Sequence, residues 1–227
     1  MSGLLQAFAS LATAGLMLVS NSLNTAAPQN DIHGTLFLVN RQWRVSADYE
    51  PEDLRVVQVT GRKSMREEAA AAFEEMAAVC LQETGKQLTC VSGYRSYETQ
   101  SNLYSNKLKR VKTQAKADEY VARPGASEHQ LGMAMDVGQV QETSLVEAFG
   151  KTVGGKWIRE NCWRFGFILR YGEGWEDVTG YKYEPWHVRY VGLETSMAIH
   201  DNAQPFETYL LDYRADTLMK ILRRNAE

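Results

Sequence analysis

The chain has 227 residues, 44% of them hydrophobic and 23% charged, with a formal net charge of −3. That length supports one large domain with its own core and no need of disulfide staples. The near-balanced charge excludes a phosphate-tracking surface, so no nucleic-acid partner is expected.

The first 34 residues are set apart as a signal-like or tethering segment with a linker. LLQAFASLATAGLMLVS is apolar with small residues, polar SNSLNTAAPQN follows, and no Lys or Arg precedes Arg41. An apolar run before a small-residue site resembles an export signal, although the basic n-region is missing. Gln6, Ser10 and Thr13 make it a poor membrane span. Export or a membrane tether is the expectation, and an N-terminal helix packed on the domain is the alternative.

The domain is expected over 35–227, ending in a helical tail. TLFLVN reads as a short strand, and YEPEDLRVV as a proline turn followed by a second β-rich run. Residues 64–84 form the clearest helix, with Ser64 as cap, Glu67 as its reciprocal partner and Gly85 as the stop. QLTCVSGY reads as a strand, SYETQSNLYSNKLKR as a helix capped by Ser96, and 121–128 as a Pro-Gly loop. KLKRVK at 107–112 is a solvated helix face or loop. MAMDV is strand-like, 144–165 helical with a glycine interruption, GFILRY and EPWHVRYVG strands, and 195–227 helical. The sum is a mixed α+β domain with a small, mostly antiparallel sheet. Cys80, Cys90 and Cys162 contain no CxxC and are odd in number. Either Cys80 and Cys90 bridge across a turn in an oxidising compartment, or all three are buried thiols.

Several motifs are excluded. GKTVGGK (150–156) has phosphate-loop spacing, but Trp157 stands where Ser or Thr must hold Mg²⁺. There is no GxSxG elbow and no HExxH, since Glu128 precedes His129. His33 and His200 are read as structural. What remains is His129 and Asp136, with Gly132 between them, and Glu184 and His187, three apart. Two histidines and carboxylates suit a catalytic zinc site with an open position. Pro185 makes a helix there unfavourable. In an extended segment residues three apart point to opposite sides, so Glu184 and His187 work together only if the chain bends at Pro185.

SEHQLGMAMDV resembles the SxHxxGxAxD signature of the zinc D-Ala-D-Ala carboxypeptidases of the VanY type, matching at Ser127, His129, Gly132, Ala134 and Asp136. EPWHVRYVG is similar to the second signature, E-x-W-H, and SGYRSYETQ (92–100) to the Y-R-S segment. The resemblance covers about 35–193, with Val188 standing where an aromatic residue is common. It implies a small antiparallel sheet wrapped by helices, with the zinc site on the sheet. It implies zinc held by His129, Asp136 and His187, Glu184 as general base, and Arg95 over the reacting carbonyl. Ser127 and Gln100 are implied to bind the peptide's C-terminal part. Trp186 packs the site or touches substrate, and Tyr94 and Tyr97 either line a peptide groove or pack the core.

The expected activity is removal of the terminal D-alanine from peptidoglycan stem peptides by attack of metal-activated water, in an extracytoplasmic setting. An L,D-carboxypeptidase or a peptidoglycan endopeptidase with the same site is the alternative. A non-catalytic binding module is disfavoured because the three ligands and the base are all present.

Overall fold

The structure is a computed structural model describing residues 31–224. The apolar N-terminal run therefore lies outside the described residues. The chain divides into two compact units. One is Leu38–Phe206, which holds all the chemistry considered below. The other comprises, among the described residues, 31–37 and 207–224, the latter lying in one helix, α7 (Phe206–Arg224).

Six strands and six further helices build the larger unit. The strands are β1 (Leu54–Val56), β2 (Ser64–Arg66), β3 (Leu88–Ser92), β4 (Ala134–Gln139), β5 (Phe167–Leu169) and β6 (His187–Tyr190). The helices are α1 (Glu67–Thr84), α2 (Tyr97–Val111), α3 (Gln114–Asp118), α4 (Val153–Asn161), α5 (Glu176–Thr179) and α6 (Leu193–Asn202). β1 and β2 form an antiparallel pair, and the other four form an antiparallel sheet in the order β3-β4-β6-β5. This is the expected α+β class with its small antiparallel sheet.

The core gathers between α1 and this sheet. Ala69, Phe73, Met76 and Cys80 recur at helical spacing and are buried. The Phe73 ring meets Phe167 of β5 edge-on, with centroids 6.0 Å apart. Gly85 ends α1 at φ 69°, its N–H donating to the Leu81 carbonyl 2.8 Å away. Ser96 caps α2, its hydroxyl oxygen accepting from the Thr99 N–H at 3.2 Å. All three cysteines are free and buried, so Cys80 and Cys90 do not pair.

Three expected elements are corrected. Ser64 does not cap α1; residues 64–66 are β2, and the helix begins at Glu67 with no side-chain cap. Tertiary pairing overrides the capping pattern: Met65 is fully buried, and the Ser64 carbonyl accepts from the Tyr94 N–H at 2.6 Å. TLFLVN is not a strand. Leu38 and Val39 are buried, but the chain reverses at once, with the Asn40 N–H donating to the Trp43 carbonyl. The 144–165 stretch splits into a 3-10 turn Glu147–Lys151, α4, and a second 3-10 turn Cys162–Phe165. The glycines that imitate a phosphate loop are packing residues. A Cβ on Gly155 would run into the Phe149 carbonyl, and one on Gly150 would lie 2.9 Å from Pro185 Cβ.

Gly132 ends the 3-10 turn Glu128–Leu131 at φ 69°, and a Cβ there would lie 2.8 Å from Leu54 Cδ2. Left-handed backbone and crowding act together. Gly132→Ala is expected to cost about 2 kcal/mol, lowering the melting temperature by about 4–8 °C for a domain of this size. A thermal melt unchanged from wild type would show that neither constraint operates.

Candidate active site

The site rests on strand register. β4 and β6 pair antiparallel with Asp136 directly opposite His187, and β3 places Ser92 opposite Asp136 across a bulge. Cross-strand partners project to the same side, so three functional side chains stand in a row over three strands. His129 enters from the turn preceding β4. Its Nδ1 lies 2.7 Å from the Gly93 carbonyl, which fixes the ring and leaves Nε2 to face Asp136 Oδ2 at 3.3 Å. A Cβ on Gly93 would collide with the Ser64 carbonyl, so only glycine lets these backbones approach.

Pro185 supplies the bend that the sequence demands. The His187 N–H donates to the Glu184 carbonyl at 3.1 Å, closing a turn over 184–187 with proline at its second position. The turn sets Glu184 Oε2 3.9 Å from His187 Nδ1. His187 Nδ1 also lies 3.0 Å from Asp136 Oδ1. One donor atom from each of His129, Asp136 and His187 falls within 4.8 Å of the others, and all three residues are buried. Two imidazoles and a carboxylate at this spacing fit a zinc-type ion. The fit extends outward, because each histidine's second nitrogen is held by an oxygen.

The residue that sequence reasoning passed over is Glu128. It is fully buried, and its Oε2 lies 3.4 Å from His187 Nε2, behind the ring from the metal-facing side. Arg170 Nε and Arg189 Nη1 meet its Oε1 at 2.8 and 3.1 Å. Arg189 and His187 are two apart on β6 and so share a face. Ala134, in register with Arg189, leaves room for the guanidinium. Glu128 stood in the sequence as the residue that spoils HExxH. The only available signal was its place beside a candidate ligand.

These neighbours set the electrostatics. Burial works to raise the Asp136 carboxyl, but His129 and His187 hold it well below the usual range. Burial likewise opposes ionisation of Glu128, and Arg170 and Arg189 overcome it. Burial lowers His129, favouring the neutral ring a metal requires. His187 is also buried, yet Asp136 and Glu128 raise its pKa to about 9. Glu184 is pushed up to about 7, chiefly by burial. A carboxyl poised there takes and returns a proton near neutral pH.

Arg95 donates through Nη1 to Gln100 Oε1 at 2.8 Å and through Nη2 to Ser92 Oγ at 3.1 Å, with Nη2 3.7 Å from Asp136 Oδ2. Its backbone N–H donates to the His129 carbonyl at 3.1 Å, tying the two motifs together. A cavity of about 650 Å³ opens over this group. Ser127, Gln100 and Trp186 line it beside Arg95 and Glu184. Gln100 is almost fully buried, with its amide spanning from Arg95 to the Ala122 carbonyl at 2.6 Å, so it braces the arginine. Tyr94 and Tyr97 are not in the lining. Tyr94 lies near Tyr49 and Glu50, and Tyr97 against the Gly125 loop.

Two histidines and an aspartate around one point, with a half-buried carboxyl and a half-buried arginine facing them, form a candidate mononuclear metal centre of hydrolytic type. The VanY family model, D-alanyl-D-alanine carboxypeptidase, matches residues 62–193, and the chain belongs to that family. It is 43% identical over 182 residues to YodJ of Bacillus subtilis (strain 168), covering 77% of this chain. It is 38% identical over 149 residues to a D-alanyl-D-alanine carboxypeptidase of Enterococcus faecium, covering 66% of this chain. The chain spans 66% of the length of the first and 44% of the second. Among solved structures, the LdcB LD-carboxypeptidase matches with a TM-score of 0.74 and 42% identity, over 80% of this chain and 87% of that one. A VanY D,D-pentapeptidase in complex with Zn(II) matches at 0.66 and 33%, over 78% of this chain and 98% of that one.

Two outcomes are expected of the metal centre. A proton on His187 and a metal ion compete for one nitrogen, so metal affinity should rise about tenfold per pH unit up to pH about 9. Calorimetry at pH 7 in buffers of differing ionisation enthalpy should count close to one proton released per metal. Glu128→Ala removes the support of His187 and the carboxylate that Arg170 and Arg189 share. Metal affinity should fall about 10- to 100-fold in a chelator competition, and stability by about 3–5 kcal/mol in denaturant titration. Wild-type metal affinity in a folded Glu128→Ala protein would remove Glu128 from the centre.

Proposed function

We propose that this protein is a zinc-dependent carboxypeptidase that removes the terminal D-alanine from peptidoglycan stem peptides outside the cytoplasm. The observation that carries this reading is the convergence of His129, Asp136 and His187 with Glu184 and Arg95 at the floor of one cavity. The D-alanyl-D-alanine carboxypeptidase activity for which the family is described and the Zn(II) bound by the related VanY support it.

His129 Nε2, Asp136 and His187 Nδ1 would hold the ion. Bound zinc polarises a carbonyl and lowers the pKa of water to about 7. Glu184 takes the proton of the attacking water and delivers it to the departing D-alanine amine, and its raised pKa suits both transfers. Arg95 has five N–H donors, of which the Gln100 and Ser92 bonds occupy two. The rest are free for the developing oxyanion or the substrate's terminal carboxylate. Ser127 and Trp186 wall the bound C-terminal residues. No described helix is long and apolar enough to cross a membrane; a tether or export signal is assigned to residues 1–34.

The likeness to the LdcB LD-carboxypeptidase favours a second reading, in which the same groups trim a D-alanine attached to an L-centre on a tetrapeptide. Mass spectrometry of digested muropeptides separates the two. Conversion of pentapeptide to tetrapeptide supports the first, tetrapeptide to tripeptide the second, and cleavage within cross-links an endopeptidase. Glu184→Gln should abolish turnover while metal stays bound. Arg95→Ala should lower kcat/KM about 100- to 1,000-fold, as loss of one oxyanion donor does. A zinc-loaded protein that cuts no stem peptide would end the enzymatic reading.

A further inference from the structure

The cavity does not stop at the metal ligands. Gln100, Leu103, Asn106, Lys107 and Arg110 of α2 all line it. Their spacing of three, three, one and three places them on one helical stripe. At 1.5 Å per residue, Arg110 lies about 15 Å along the helix axis from Gln100, the residue that clamps Arg95 over the chemistry. An extended peptide advances about 3.3 Å per residue, so this stripe runs beside about four residues upstream of the scissile bond.

The stripe changes character along its length. Gln100 is buried, while Leu103 and Tyr120, both in the lining, are 43% and 44% exposed and give an apolar midsection. The far end is cationic. Lys107 Nζ lies 4.6 Å from the Tyr120 ring, and Lys182 Nζ lies 4.7 Å from it. The nearby acid, Glu119, is occupied by Lys116 at 2.9 Å and Lys182 at 3.4 Å. Neither Lys107 nor Arg110 has an ion-pair partner among the described residues. The other outer carboxylate, Glu147, belongs to a different element, the Glu147–Lys151 turn.

We infer that Lys107 and Arg110 form a distal subsite for a carboxylate of the substrate, three to four residues upstream of the scissile bond, so that α2 selects long acidic peptides over short or amidated ones. The inference rests on the peptidase reading of the same cavity and adds the distal anion to it.

Two probes suffice: the pentapeptide L-Ala-γ-D-Glu-L-Lys-D-Ala-D-Ala, and its counterpart with the free glutamyl carboxyl amidated. Binding is measured by calorimetry on the zinc-loaded Glu184→Gln protein, and D-alanine release on the zinc-loaded wild type. The acidic peptide should bind about tenfold tighter, as two partly exposed ion pairs provide, with the difference in turnover residing in KM. In Lys107→Gln/Arg110→Gln the acidic-to-amidated ratio should fall towards one. That ratio is internal to each protein, so a general loss of fold does not imitate it. Equal binding of the two peptides by the Glu184→Gln protein overturns the subsite, as does a variant that keeps the full ratio. Acidic preference without D-alanine release leaves the subsite standing and removes the carboxypeptidase reading. Release without preference does the reverse.

Discussion

The pairing of Asp136 with His187 across β4 and β6 is the constraint on which the rest depends. Side chains alternate along a strand, so a slip of one residue would turn one ligand to the opposite face. The register is held from both ends. Gly132 lets the chain turn sharply into β4, and the proline turn at 184–187 starts β6 at the required residue. On the hydrophobic side, Met135 lies opposite Val188, and both are fully buried. A slip would therefore expose the core as it dismantled the site. Metal geometry and apolar burial are specified by the same ladder.

Beneath the ligands lies a second layer that is costly to bury. Glu128, Arg170 and Arg189 are all but inaccessible, and desolvating each charge costs several kcal/mol before pairing. Two guanidinium groups on one carboxylate offset part of this, and the Phe206 ring contributes, with Arg170 and Arg189 at 5.6 and 5.7 Å from its centroid. Replacing such a cluster by apolar groups is often neutral for stability. Its effect here is directional: it pins Nε2 of His187, so that Nδ1 points to Asp136 and Glu184. Arg170 and Arg189 also keep Glu128 ionised in a dry environment.

The convergence of His129, Asp136, His187, Glu184 and Arg95 was legible because residue type, order and spacing survive in one dimension. The bend at Pro185 was legible as a condition, since proline restricts its neighbour and a strand cannot place residues three apart together. Glu128 was not, because its partners Arg170 and Arg189 lie 42 and 61 positions away and have no local signature. Ser64 was misread for the opposite reason. Its local pattern is a good capping box, but a backbone partner from residue 94 claims it for β2. TLFLVN shows that an apolar run fixes burial more firmly than conformation. Tyr94 and Tyr97 flank the right arginine, yet alternation and the start of α2 turn them away from the cavity.

The start of α2 links chemistry to recognition. Arg95 stands one residue before the Ser96 cap, where the backbone is extended, so its side chain reaches back over the sheet. Gln100, one turn into the helix, returns to grip the guanidinium. A rigid helix thus carries at its N-terminus the brace for Arg95 beside the candidate metal site, and its later turns follow the cavity outward. The KLKRVK run is solvated, as its composition implies. Solvation and function are compatible here, because a cation at a cavity mouth must stay hydrated until an anion arrives. Exposure that marks an idle face on an isolated helix reads as an entrance when the same stripe begins beside the arginine that faces the candidate metal ligands.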